Sequence, residues 1–137
     1  MKFLHTADWH LGAKTNGRDR LVEQKRTIEE IESIATYENI DCVIIAGDIF
    51  NTASPAAEAE ELFFDAVQKL SNNGDRFVFV LAGNHHHPTR LSAGLPLSSK
   101  HNIALASSLA KIKESSFNKN AIVKVVETGK GHIKIKK

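Results

Sequence analysis

A layered α/β fold is the class this sequence predicts, on three observations. Two apolar runs, "CVIIA" at residues 42–46 and "RFVFVLA" at 76–82, lack the alternation of a half-exposed strand. Continuous runs of this kind mark strands covered on both faces, the habit of parallel sheets. Stretches of helical periodicity lie before and between them, and each run ends in a polar loop containing glycine.

In chain order, "KFLHTA" at 2–7 reads as a short strand running into a loop. From residue 20 to 38, Leu21, Ile28, Ile31 and Ala35 recur at helical spacing among Glu, Lys and Arg, which marks an amphipathic helix. "CVIIA" is the second strand. Ser54 and Pro55 have the residue types of an N-cap and a first helical position. Ala59, Leu62, Phe63, Ala66 and Leu70 then mark one face of a second helix, which "NNGD" stops. "RFVFVLA" is the third strand. Beyond Pro88, a short helix is expected near residues 93–100 and a strand in "NIALAS" at 102–107. At the end, "AIVKVVE", "TGKG" and "HIKIKK" make two alternating segments around a glycine-rich turn, a β-hairpin. No repeat or linker divides the 137 residues, so one domain is expected.

Composition excludes several classes. With 42% hydrophobic residues, 25% charged and three prolines, the chain has the make-up of a soluble globular protein and not of a disordered one. The opening "MKFLHTADWH" lacks the apolar core of a signal peptide and no run approaches a membrane span, so a cytoplasmic protein without a membrane partner is expected. Cys42 is the single cysteine and lies within an apolar run, which fits a small buried side chain and rules out an internal disulfide. The net charge is +2 but uneven: residues 119–137 hold six lysines against one acid, whereas residues 1–118 hold twelve basic against fifteen acidic residues. Such a tail suits either a phosphate backbone or a solvated strand face.

The chemistry lies in three loops. Each follows one of the buried strands and carries metal-ligand residue types: Asp8 and His10, then Asp48, then Asn84 and His85. In open α/β sheets, ligands bind in the crevice outside the carboxyl ends of the strands, where all three loops would meet. Carboxylate, imidazole and amide oxygen suit manganese, magnesium, iron or zinc better than soft copper. Gly12, Gly47 and Gly83 would let the backbone pass close to an ion. Spacing alone therefore reaches a phosphoester-directed metal site.

The ordered set, quoted as "LHTADWHLG", "AGDIFNTASP" and "LAGNHHHPTR", resembles the calcineurin-like metallophosphoesterases and, among them, the SbcD-type nucleases. The likeness covers essentially the whole chain as the N-terminal part of such a domain, including "NGRDRLVEQ" and the hairpin "VVETGKGHIKIKK". It implies a layered metallophosphoesterase fold, incomplete, with a C-terminal β-hairpin, the capping and SbcC-binding regions being absent. It also makes Asp8 and His10 ligands of one metal, Asp48 the bridging carboxylate, Asn84 a ligand of the second metal and His85 catalytic. The cofactors it implies are two divalent ions, manganese foremost, with magnesium, iron or zinc as alternatives. The activity it implies is a metal-dependent single-strand endonuclease and double-strand 3'-5' exonuclease that processes DNA ends and hairpins. Its partners would be DNA and an SbcC-type ATPase, and a homodimer is allowed.

Two departures stand out. His86 occupies a position where the family has an acidic residue, and outer-shell losses of that kind cost about 10- to 100-fold in affinity or activity. The family also completes its site with later histidines, including a Gly-His-x-His motif; here Gly131 and His132 are followed by Lys134, and His132 reads as a hairpin strand residue. With fewer placed ligands, weak metal binding and little nuclease activity are expected of these residues alone. Two rivals stay open: a non-catalytic truncated fragment that binds metal or DNA, and another metallophosphoesterase such as a phosphatase or phosphodiesterase.

Other residues have competing readings. Trp9 suits packing under its loop better than stacking on a base. Arg18, Arg20 and Arg90 flank the ligand loops and suit DNA phosphates, while Arg18 and Arg20 equally suit ion pairs with Asp19 and Glu23. His5 reads as a core residue or a support of the site, and His101 as exposed in a turn.

Overall fold

The computed structural model describes residues 1–83, 101–106, 121–129 and 132–137. In chain order these form β1 (Phe3–Ala7), β2 (Lys14–Thr15), β3 (Arg18–Asp19), α1 (Leu21–Tyr37), β4 (Cys42–Gly47), α2 (Ala57–Leu70), β5 (Phe77–Ala82), β6 (Ile103–Ala106), β7 (Lys124–Gly129) and β8 (His132–Lys136). A four-stranded sheet in the order β1-β4-β5-β6 carries the fold, every pair in it parallel. The register sets Ala7 beside Ala46 and Gly47 beside Ala82, so the carboxyl ends of β1, β4 and β5 are level.

Alternate residues of the central strands meet different layers, which is why their sequence is continuously apolar. Val43, Ile45, Val78 and Val80 join Ile28 and Ala35 of α1 and Phe63, Ala66 and Leu70 of α2 in one core. Cys42, Phe77 and Ala104 meet Val123, Val125 and Ile135 on the other side, where the antiparallel pair β7–β8 supplies the cover. Burial pushes the Cys42 thiol up to about 12, as expected of an inert core cysteine. At the sheet edge, β1 alternates exposed and half-buried residues, so His5 is exposed and does not enter the core. One face of an edge strand stays open to water, and His5 lies there.

Helix α1 ends in a Schellman motif. Asn39 takes the left-handed conformation at φ 51, Ile40 N–H donates to Ala35 O at 3.0 Å and Asn39 N–H to Thr36 O at 3.2 Å. Helix α2 begins later than Ser54 and Pro55 suggest. Ala56 is its N-cap, extended at ψ 153, and receives the first helical N–H groups, those of Ala59 and Glu60, on its carbonyl. Pro55 thus precedes the helix by two residues, and no side chain caps it. Arg76, read from sequence as the first strand residue, lies just before β5 and is buried. Its guanidinium donates to Ile40 O at 2.9 Å, Leu70 O at 2.8 Å and Ala35 O at 3.1 Å, tying the ends of both helices together.

The pair β2–β3 was not expected from sequence. Asn16 and Gly17 between them have φ 51 and 76, the two positive values a type I′ hairpin turn requires. The "NIALAS" strand is present as β6 and the C-terminal hairpin as β7–β8, whereas the expected helix at 93–100 lies outside the described residues. His101 is half-buried instead of exposed, at the start of the segment leading into β6. Among the described residues no helix is long and apolar enough to cross a membrane.

Candidate metal centre

Because the strand ends are level, the loops after β1 and β4 run side by side, and backbone hydrogen bonds lace them together. Asp8 N–H donates to Ala46 O at 3.1 Å, His10 N–H to Asp48 O at 3.0 Å, and Leu11 N–H to Ile49 O at 2.8 Å. Asn51 N–H returns to Leu11 O at 3.1 Å. The loop after β5 joins them through Gly83 N–H, which donates to Gly47 O at 2.9 Å. Three loops distant in sequence are therefore one backbone-bonded rim.

The carboxylates sit on this rim against bare backbone. Asp8 Oδ1 accepts the N–H of Asp48 at 3.1 Å. A side chain at Gly47, whose φ is +83, would collide with the Asp8 carboxylate, and one at Gly83 would collide with that of Asp48. The glycines thus leave the space that the two carboxylates fill, which is the close approach expected around an ion. Asp8 and His10 both lie in the left-handed region, at φ 53 and 46. That conformation costs a non-glycine residue about 1 kcal/mol, so the turn needs outside support.

Support comes from α1 and α2. Gln24 Nε2 donates to His10 O at 2.8 Å and to Trp9 O at 3.3 Å, while its Oε1 accepts Gly12 N–H at 3.0 Å. Trp9 packs under the loop, as its residue type suggests: Nε1 donates to Thr6 Oγ1 at 2.9 Å, and the ring meets Phe63 edge-on at 6.4 Å between centroids. Gln24 was missed in the sequence. Its signal was a polar residue at a helical position between Leu21 and Ile28, on the stripe that otherwise faces the core.

Of the expected site residues, the structure brings Asp8, His10 and Asp48 to one rim, with Gly83 beside them. Asn84, His85, His86 and Arg90 lie outside the described residues. Among the described residues no three His, Cys, Asp or Glu side chains form a group that could hold a metal ion. His132 is exposed in β8, its ring 3.3 Å from Glu127 Oε1. His132, contributing most, and Lys134 hold the Glu127 carboxyl below its ordinary range.

The two described arginines differ. Arg20 pairs with Glu23, Nε to Oε2 at 2.9 Å, as one of its readings had it. It also lines a cleft of about 250 Å³ together with Asp8, Trp9, Gln24 and Thr27, between the loop after β1 and α1. Arg18 is exposed in β3 opposite Thr15, and Asp19 uses Oδ1 to accept Leu21 N–H at 2.8 Å at the start of α1.

Comparison with known proteins agrees with this architecture. The profile of the calcineurin-like phosphoesterase family matches residues 1–134. The SbcD subunit of nuclease SbcCD from Bacillus subtilis (strain 168) is 48% identical over 105 residues, covering 77% of this chain and 27% of that protein. The protein of the same name from Rhodobacter capsulatus is 36% identical over 94 residues, 68% of this chain and 23% of its own length. That of Escherichia coli (strain K12) is 39% identical over 85 residues, 62% and 21% respectively. The chain thus spans about a quarter of the length of these relatives. With parallel strands delivering Asp8, His10, Asp48 and Gly83 to a single rim and the family profile running from end to end, this chain belongs to the calcineurin-like phosphoesterase family.

Proposed function

We propose that the chain is the N-terminal part of the metal-binding domain of an SbcD-like DNA nuclease, and that Asp8, His10 and Asp48 are its metal ligands. The observation that carries this reading is the Asp8–Asp48 contact across the ends of β1 and β4, with the carboxylates occupying space that glycines leave. The donor set suits hard to borderline divalent ions, manganese foremost. Asp8 and His10 would hold one ion, Asp48 would bridge, and Asn84 would hold the second. When bound, such a pair polarises a phosphodiester and lowers the pKa of an attacking water. His85 stabilises charge on phosphorus or hands a proton to the leaving sugar oxygen, a role worth about 10² to 10⁴ in rate. Arg20, which lines the cleft beside Asp8, would meet a DNA phosphate, and Arg18 and Arg90 are further candidates for the same role from their places in the sequence.

By its likeness to the SbcD proteins, the whole protein would be a single-strand endonuclease and double-strand 3'-5' exonuclease acting with an SbcC-type ATPase on DNA ends and hairpins, in the cytoplasm. A second reading, non-catalytic binding of metal or DNA, is favoured by His86 standing where the family has an acid. A Mn²⁺-dependent cleavage assay on labelled single- and double-stranded DNA, paired with Mn²⁺ calorimetry, separates them. Cleavage lost in His85→Ala supports the nuclease; Mn²⁺ uptake without cleavage supports the binding reading; absence of uptake overturns both metal readings. Turnover of a phosphomonoester in preference to DNA would instead mark a phosphatase.

A further inference from the structure

We propose that Gln24 is a positioning residue: by clamping the left-handed Asp8–His10 turn to α1, it sets the affinity of this rim for a divalent ion. The inference rests on the metal-site reading above and adds to it a residue with no ligand role of its own.

On α1, Leu21, Ile28, Ile31 and Ala35 turn toward the core, and Gln24 occupies the position among them where an apolar residue would pack. A half-buried amide there is costly unless its polar atoms are satisfied. Its bonds run to one short segment: two donations, to His10 O and Trp9 O, and one acceptance, from Gly12 N–H. Oxygen and nitrogen together span both sides of the turn.

What it holds is the part of the site least stable by itself. Asp8 and His10 take φ 53 and 46, and on the rim side the loop is tied by backbone bonds to Ala46, Asp48, Ile49 and Asn51 and by the Asp8 carboxylate accepting Asp48 N–H. Those ties fix the rim side of the loop. Gln24 fixes the opposite side, against the helix. Without it, Asp8 and His10 can relax to extended conformations that point two ligands apart, and each ion then has to reorder the turn on binding. Groups that orient metal ligands from outside typically change affinity by about 10- to 100-fold.

Two substitutions separate this from a general packing role. Gln24→Leu keeps size and helix preference and completes the apolar stripe, so the fold is retained while all three bonds vanish. Gln24→Glu keeps an acceptor for Gly12 N–H but sets a carboxylate against two carbonyl oxygens. Leu62→Ala, in the half-buried part of α2, is the control for stability loss without a change at the loop. Mn²⁺ titration by calorimetry, with the thermal midpoint and the exchange rate of the Gly12 amide measured on the same samples, reads the result. The expectation is a Kd for Mn²⁺ raised about 10- to 100-fold in Gln24→Leu and Gln24→Glu, faster Gly12 exchange in Gln24→Leu, and a wild-type Kd in Leu62→Ala. Wild-type affinity in Gln24→Leu would overturn the inference while leaving the metal site intact. A wild-type chain that takes up no Mn²⁺ would overturn the metal reading and this role together.

Discussion

The N–H of Asp48 donates to Asp8 Oδ1 at 3.1 Å, so one carboxylate closes the gap between the loops of two neighbouring strands before any ion is considered. Asp8 therefore has a structural role beside its proposed role as a metal ligand, and substitution can part them. Asp8→Asn keeps an oxygen to accept the bond and loses the charge. It should hold the unfolding free energy from urea titration within about 0.5 kcal/mol of wild type and abolish Mn²⁺ uptake. Asp8→Ala should lose both, with about 1 kcal/mol of stability gone. Equal destabilisation by the two would show that the hydrogen bond contributes nothing.

Gly47 and Gly83 should respond differently to the same added methyl group. At Gly47 the positive φ and the Asp8 carboxylate both oppose a Cβ, so Gly47→Ala should cost about 1–3 kcal/mol as well as disturb metal uptake. At Gly83 the main obstacle is the Asp48 carboxylate, with no positive φ to add strain. Gly83→Ala should leave stability nearly unchanged and weaken Mn²⁺ binding by displacing Asp48. Chemical denaturation beside calorimetry on both variants decides it, and normal Mn²⁺ binding in Gly83→Ala would count against Asp48 as a ligand.

Arg76 binds three carbonyls from the ends of α1 and α2 and the segment after α1, and burial lowers its pKa. Replacing it leaves buried acceptors without donors. Arg76→Met should cost about 3 kcal/mol, and Arg76→Lys nearly as much because a single ammonium cannot span the three sites. Both should appear as a lower denaturant midpoint at unchanged slope.

Acid should weaken the fold partly through Asp41. Its carboxyl is held below the ordinary range, first by a hydrogen bond from Lys137 Nζ at 2.7 Å and next by the backbone N–H of Lys2 at 2.7 Å. A depressed folded pKa means stability that is present above the unfolded value, about 3.9, and is lost as pH falls below it through the folded pKa. Glu32 acts in the opposite sense, since burial raises its pKa and protonation favours the folded state. Asp41→Asn should therefore flatten the acid limb of a stability-against-pH curve below about pH 4. A limb that keeps its wild-type slope in this variant would assign acid sensitivity elsewhere.

Much of the architecture could be read from the chain because the signals are local. Continuous apolar runs located β4 and β5, helical spacing located α1 and α2, and alternation about glycine located β7–β8. Misreadings occurred where a local signal has more than one outcome. Ser54 and Pro55 fit a cap, yet Ala56 stays extended and α2 starts after it. Asn16-Gly17 carried a hairpin signal inside a segment that also looked like the approach to a helix.

The sequence by itself supplied the candidate metal ligands, since Asp8, His10 and Asp48 each follow a strand, and it determined that both faces of the central strands would be covered. Only the tertiary structure decided how they meet. Strand register is set by pairing between segments far apart in the chain, and it brings the Asp8 and Asp48 loops level. Gln24 and Arg76 take their roles from carbonyls and amides of other elements, which no period or spacing encodes. A hydrogen bond between distant segments exists only after the backbone has folded to bring its partners within about 3 Å.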